Sequence, residues 1–263
     1  TGLVINIPTP YLNVFLGNVV GAASVTDIGQ SSGANTINLS GLGRFGVNLD
    51  QFTNPGLTIN LDGLNGGPFT LLADGDSTMR PETIAGPTIT SSTAPVVTIG
   101  RAGAGVPALP LYTTPLNKTI EPAAIPLGNG ITLTTNNQFG LLSSAAVALN
   151  TATTPVFSVS TASGSNITPG LTISGQVTGG VTGSGNVVLS KIGAGTLALT
   201  DATNTFGGSG SIIDIAAGML QVTSNGALGD SSNVVRLSTN NATQGLRLAN
   251  DGLTTSYTLT GRN

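Results

Sequence analysis

Pairs of apolar residues separated by one polar or small residue recur through the second half of the chain. They are Leu171/Ile173, Val187/Leu189, Leu197/Leu199, Ile213/Ile215, Leu220/Val222, Val235/Leu237, Leu246/Leu248 and Tyr257/Leu259. A spacing of two puts both members of a pair on one face of a strand, so each pair faces inward while residues such as Asp214 and Gln221 face out. Every second pair recurs after roughly 21 to 26 residues, the length of one turn in a coil of stacked strands. This period predicts an all-β chain folded as a parallel β-solenoid. An antiparallel sandwich or barrel also has short strands at short intervals, but it needs tight two-residue hairpins. Such signatures are missing between neighbouring strand patterns, and Gly- and Asn-rich corners recur at the rung spacing instead.

The same alternation appears upstream at Ile37/Leu39, Val47/Leu49, Ile59/Leu61 and Phe69/Leu71. Residues 1–80 are therefore expected to be an N-terminal β-rich, solenoid-like part, with the apolar stretch Val4 to Val20 serving as a cap or an assembly segment. Residues 81–127 differ, because eight of the 14 prolines fall there: Pro81, Pro87, Pro95, Pro107, Pro110, Pro115, Pro122 and Pro126. Proline lacks the N–H that an interior strand donates, so this segment is expected to be an extended arm or a long loop. Residues 128–263 are expected to resume the solenoid. Leu141 to Leu149 is the one stretch that reads as a short helix, since Gly, Thr, Asn and Ser interrupt every other window.

Charged residues make up only 7% of the chain, against about 25% in an ordinary soluble domain. Apolar residues reach 39%, which argues for a packed core rather than disorder. Eight basic residues scattered from Arg44 to Arg262 form no patch for a phosphate backbone, so nucleic acid is not an expected partner. The most apolar window, Val14 to Val25, is short and broken by Gly17, Asn18 and Gly21, so membrane insertion by this chain is not expected either. With Thr1 in place of Met and a C-terminus that breaks off after a strand-like pattern, the chain reads as a piece of a longer polypeptide.

Histidine and cysteine are both absent. That removes imidazole bases, thiol nucleophiles and the usual zinc ligands, while the lack of Cys is permissive for export. The densest acidic stretch, "LLADGDSTMRPE", offers Asp74 and Asp76 about Gly75 as a weak calcium candidate; six to eight oxygens would be needed, and a plain solvated turn is the simpler reading. No cofactor, catalytic residue or firm metal ligand is expected.

One segment carries a family likeness. "GAGTLALTDATNTFGGSGSIIDIAAGMLQVTSNGALG", Gly193 to Gly229, resembles the passenger-associated repeat of bacterial autotransporter-like surface proteins. The shared positions are Gly195, Leu197, Leu199, Asn204, Phe206, Gly207, Gly208, Ile213, Ile215, Gly218, Leu220, Val222 and Gly229. Asp201 departs from the pattern, which often has Gly or Ala there. The resemblance implies a right-handed parallel β-helix, an extracellular or cell-surface location in a bacterium, and a scaffold rather than a catalytic role. The expected function is thus a non-enzymatic structural or adhesive protein, a stiff solenoid that assembles end to end into a filament or layer. Its expected partners are other copies of itself, with surface glycans or other cells beside them. Two alternatives stand: a carbohydrate-binding adhesin using Asn, Thr and Tyr11, Tyr112 or Tyr257, and a polysaccharide-degrading β-helix enzyme.

Overall fold

The computed structural model describes residues 14–16, 35–40, 45–49, 56–63, 68–75, 79–101, 116–136, 138–161, 168–238 and 244–249. Every strand pairing among them is parallel, and the chain is a β-solenoid. It divides into two compact units, Thr1–Pro126 with Thr134–Leu141 and Ala162–Thr168, and Leu127–Leu133 with Leu142–Thr161 and Pro169–Asn263.

The first unit contains, in chain order, β1 (Val14–Leu16), β2 (Asn35–Ser40), β3 (Phe45–Asn48), β4 (Leu57–Gly63), β5 (Phe69–Leu72), β6 (Glu82–Thr90), β7 (Val96–Gly100) and β8 (Lys118–Ala124). Odd-numbered strands form one sheet in the order β1-β3-β5-β7, and even-numbered strands form the other, β2-β4-β6-β8. Register places Phe45, Phe69 and Val97 in one column and Val47, Leu71 and Ile99 in the next. Across the other sheet Ile37, Ile59 and Ile89 line up likewise. Parallel neighbours lie about 4.8 Å apart, so like residues stand over one another on successive rungs. The inward expectation holds for Val47, Leu49, Ile59, Leu61, Phe69 and Leu71, all buried. The side chains of Ile37 and Leu39 lie outside the described residues.

Residues 81–127 are not an arm where the structure describes them. They supply β6, β7 and β8, with Glu82 through Thr88 opposite Lys118 through Ala124. Proline is tolerated because it stands where a strand pairs on one side only. Pro87 precedes the first β4–β6 partner, Thr88, and Pro122 follows the last β8–β10 partner, Ile120. Pro107, Pro110 and Pro115 lie outside the described residues.

After β9 (Gly130–Thr135) and β10 (Gly140–Ser143), the second unit continues with β11 (Val147–Leu149), β12 (Val156–Thr161), β13 (Leu171–Ile173), β14 (Val177–Gly179), β15 (Val187–Ile192), β16 (Thr196–Leu199), β17 (Ile212–Ile215), β18 (Met219–Val222), β19 (Val234–Leu237) and β20 (Gly245–Leu248). One sheet runs β12-β15-β17-β19, a second β13-β16-β18-β20, and β11 pairs with β14 in a third. Leu171, Leu197, Leu220 and Leu246 make one column, and Ile173, Leu199, Val222 and Leu248 the next.

Leu141 to Leu149 is not helical, since it supplies most of β10 and all of β11. Leu141 lies opposite Ile120, and Val147 lies opposite Val177. The alternating burial of Val147, Ala148 and Leu149 suits a strand, and ladder partners on a neighbouring rung override local helix propensity. Two further departures come from packing. A bulge between Val187 and Leu189 shifts the register, so Val188 and Leu189 are buried and Val187 is only half-buried. Ala198, expected to face out, is buried as well. Tyr257 and Leu259 lie outside the described residues.

The corner at Gly207 and Gly208 shows why the repeat needs glycine there. Gly207 has φ +80°, and a Cβ on it would overlap the side-chain amide of Asn233. That amide accepts from Gly208 N at 2.8 Å and donates to Phe206 O at 2.9 Å and Leu228 O at 3.0 Å. Gly207→Val combines left-handed strain with displacement of Asn233. It should lower unfolding stability by about 2–4 kcal/mol, read from urea midpoints, while Gly185→Ala, at an open position, should cost about 1 kcal/mol.

Candidate functional site

Among the described residues three groups of polar side chains stand out: buried amides at corners, carboxylates paired across rungs or within their own turns, and two lysines set into the apolar interior. In the first group Asn204 is buried, accepts from Val177 N at 2.7 Å and donates to Ala227 O at 2.9 Å. One amide thereby joins the turn below to the turn above. Asn233 does the equivalent around Phe206, whose ring is fully buried. The Asn-Thr-Phe-Gly-Gly run therefore works as a corner: Asn bridges turns, Phe fills the interior, and the glycines admit the next asparagine.

The positions that carry the resemblance lie in the interior or at turns. Leu197, Leu199, Ile213, Ile215, Leu220 and Val222 are all fully buried. Gly218 turns the chain at φ +66° against the carbonyls of Gly193 and Gly195, and Gly229 turns it at φ +71° beside Phe206. Gly195 lies close to Val159 O, the acceptor of its own N–H at 2.7 Å.

The second group absorbs carboxylates. Asp214 was expected to face solvent; it is buried, because Arg236 on the next rung binds it at 2.8 Å and Ser238 donates to it at 3.3 Å. In the first unit Glu82 lies 3.1 Å from Lys118, its register partner. Asp201 accepts the N–H and hydroxyl of Thr203, both at 2.6 Å, and Asp230 does the same for Ser232 at 2.8 and 2.6 Å. The hydroxyl bond first, then the amide, holds the Asp201 carboxyl below the ordinary carboxylate range.

Asp74 is buried, with Arg101 Nε 3.7 Å from its carboxylate. A guanidinium at that position competes with a cation for the Asp74 carboxylate, and Asp76 lies outside the described residues. Among the described residues no group of three or more His, Cys, Asp or Glu is placed to hold a metal ion, and no helix is long and apolar enough to cross a membrane.

The two interior lysines escape a composition-based reading but not a parity-based one. In "NVVLSKI" Lys191 shares the parity of Leu189, and in "NKTIEP" Lys118 shares that of Ile120. Both leucine and isoleucine are buried, and so are both lysines. Lys118 donates to Arg80 O at 3.0 Å as well as meeting Glu82. Lys191 donates to three backbone carbonyls, those of Ile192, Gly193 and Ala217, at 2.7, 2.8 and 3.1 Å. Both lysines are completely removed from solvent, and their amines bind groups on neighbouring turns.

Comparison with protein-family models, curated proteins and solved structures finds no match to this chain. The polar groups must be interpreted from their geometry, and that geometry is dominated by bonds between rungs. Asn204→Ala should strand a buried N–H and a buried carbonyl, lowering stability by about 2–4 kcal/mol, whereas Asp201→Ala at its exposed turn should shift the urea midpoint far less. Urea unfolding of the two variants beside the parent chain checks the contrast.

Proposed function

We propose that the chain is a non-enzymatic structural or adhesive protein outside a bacterial cell, a β-solenoid that assembles through its last described rung. The observation that carries this reading is a pair of leucines. Leu237 and Leu248 continue columns whose preceding members, Ile215 and Val222, are completely buried, yet they stand 53% and 41% exposed. β19 and β20 are also the last strands of their sheets among the described residues. Where no further rung of its own chain covers it, an edge of this kind offers N–H and C=O groups together with an apolar floor, which suits a parallel strand from another copy.

β1 and β2, the first described strands of the first unit's two sheets, are the counterparts proposed in a second copy, because a parallel strand added there extends each ladder without reversing it. Two further observations support a scaffold. The carboxylates of Asp74, Glu82, Asp201, Asp214 and Asp230 are held by partners within the fold, and the resemblance of Gly193 to Gly229 to a surface-protein repeat implies an exported scaffold. Within the apolar Val4 to Val20 segment, Val14–Leu16 forms β1; the remainder lies outside the described residues.

A carbohydrate-binding adhesin is the second reading, favoured by register on the outer faces of the first unit. Thr58 stands over Thr88, Asn60 over Thr90, and Thr70 over Thr98, giving ordered rows of hydroxyl and amide groups. A glycan array separates this reading from scaffolding alone.

The assembly reading is tested by Leu237→Lys together with Leu248→Lys. Both side chains are exposed, so the variant should fold with the parent's circular dichroism. Light scattering and negative-stain imaging should show the parent as polymers and the variant as single chains. Polymers of unchanged length in the variant would remove this edge as the contact.

A further inference from the structure

A three-residue motif recurs on successive rungs of one sheet in the first unit. It reads Thr36-Ile37-Asn38 on β2, Thr58-Ile59-Asn60 on β4 and Thr88-Ile89-Thr90 on β6. Register sets Thr36, Thr58 and Thr88 in one row and Asn38, Asn60 and Thr90 in another. Ile59 and Ile89, between the rows, are buried, so Thr58, Asn60, Thr88 and Thr90 take the opposite, outer face, where they are half-buried or exposed. The first row ends at β6, because the next strand sets Ala124 opposite Thr88.

These positions form a lattice of fixed dimensions. Rungs lie about 4.8 Å apart and residues two apart along a strand about 6.6 Å, so the six register positions make a two-by-three grid. Threonine is stiff at its branched Cβ, and the Asn60 side-chain oxygen accepts Asp62 N at 3.1 Å, which fixes the amide. Within β2, β4 and residues 88–90, Asp62 is the one charged residue, and there is no aromatic one. The Asp62 carboxylate is taken up by Ser92 N on the turn after β6.

That composition decides between ligands. Small-molecule sites are concave and lined by aromatic and apolar side chains, while protein and nucleic-acid partners seek an apolar centre or a basic patch. The outer face of β2, β4 and β6 supplies none of these. It supplies hydroxyl and amide groups, each able to hold a water, at regular intervals on a backbone that does not move. In hexagonal ice the oxygens repeat along the a axis at nearly the rung spacing, and the separation of the two rows is comparable with the c-axis repeat.

We propose that this face binds ice: waters held over the two rows take up lattice positions and join the surface of a crystal. The inference rests on the register of the rows and is independent of the assembly reading.

Slow growth of ice from a dilute solution tests it, because growing ice rejects ordinary solutes. The chain, labelled at its N-terminal amine, should be taken into the ice. Thr58→Lys with Thr88→Lys should be left in the liquid while keeping the parent's circular dichroism. Thr98→Lys, on the other sheet, should enter as the parent does. So should Leu237→Lys with Leu248→Lys, which lacks the edge proposed for assembly; its exclusion would show mere trapping of polymers and overturn the proposal. If the double threonine variant fails to fold, Thr90→Lys, at an exposed position, takes its place and should lower the fraction incorporated. Exclusion of the parent, or equal incorporation of parent and Thr90→Lys, would overturn the proposal, as would loss of incorporation in Thr98→Lys. A parent that is rejected by ice yet binds sugars on a glycan array, with binding lost in the threonine variant, would assign the rows to the adhesin reading instead.

Discussion

In-register stacking of like side chains is the constraint on which the structure rests. A parallel ladder repeats its backbone bonds about every 4.8 Å, so an inward residue meets its counterpart on the next rung at van der Waals distance. Leu171, Leu197, Leu220 and Leu246 form such a series, and each fully buried member contributes about 1.5–3 kcal/mol of apolar transfer energy. A one-residue slip would turn every such column to solvent. Register is therefore strongly specified even though the sequence between columns is mostly Gly, Ser, Thr and Asn.

The same geometry explains how a chain with so few charges uses them. At a corner, a side chain reaches the backbone of the turn above or below, and a single amide such as that of Asn204 or Asn233 satisfies groups on two or three turns. On a strand, an acid on one rung finds a base on the next, as with Asp214 and Arg236. Inside the coil a lysine finds only carbonyls or one neighbouring acid. Charge here serves to tie rungs together, and the site-like features of the protein are also its structural bonds. The exposed pair Leu237 and Leu248 is the exception, being apolar surface where the columns predict burial.

Parity was legible wherever strands are regular. The inward positions from Val47 to Leu71 and from Leu171 to Val222 follow the alternation with few departures, and the departures have local causes. The bulge at Val187 arises from backbone register, which no side-chain pattern encodes. The prolines of residues 81–127 pointed away from strands because proline fails in a sheet interior; Pro87 and Pro122 are admitted where a ladder exists on one side only. Leu141 to Leu149 has helical composition, yet its backbone finds partners at Ile120 and Val177. The interior lysines were written in the parity of Leu189 and Ile120, but a reading guided by hydrophobicity passes over a charged residue at an inward position.

By itself the sequence determined the period, the inward face of each strand and the absence of His and Cys chemistry. Those properties depend on residue identity at fixed spacing, and spacing along a chain sets which face a side chain takes. Only the tertiary structure decided which rung lies over which, where the corners close, and what each buried polar group binds. Such partners lie some twenty to thirty residues away, as Val177 and Ala227 do from Asn204. Pairings at that range depend on the summed length of turns and bulges between rungs, which one or two extra residues at a corner can shift without altering any local pattern.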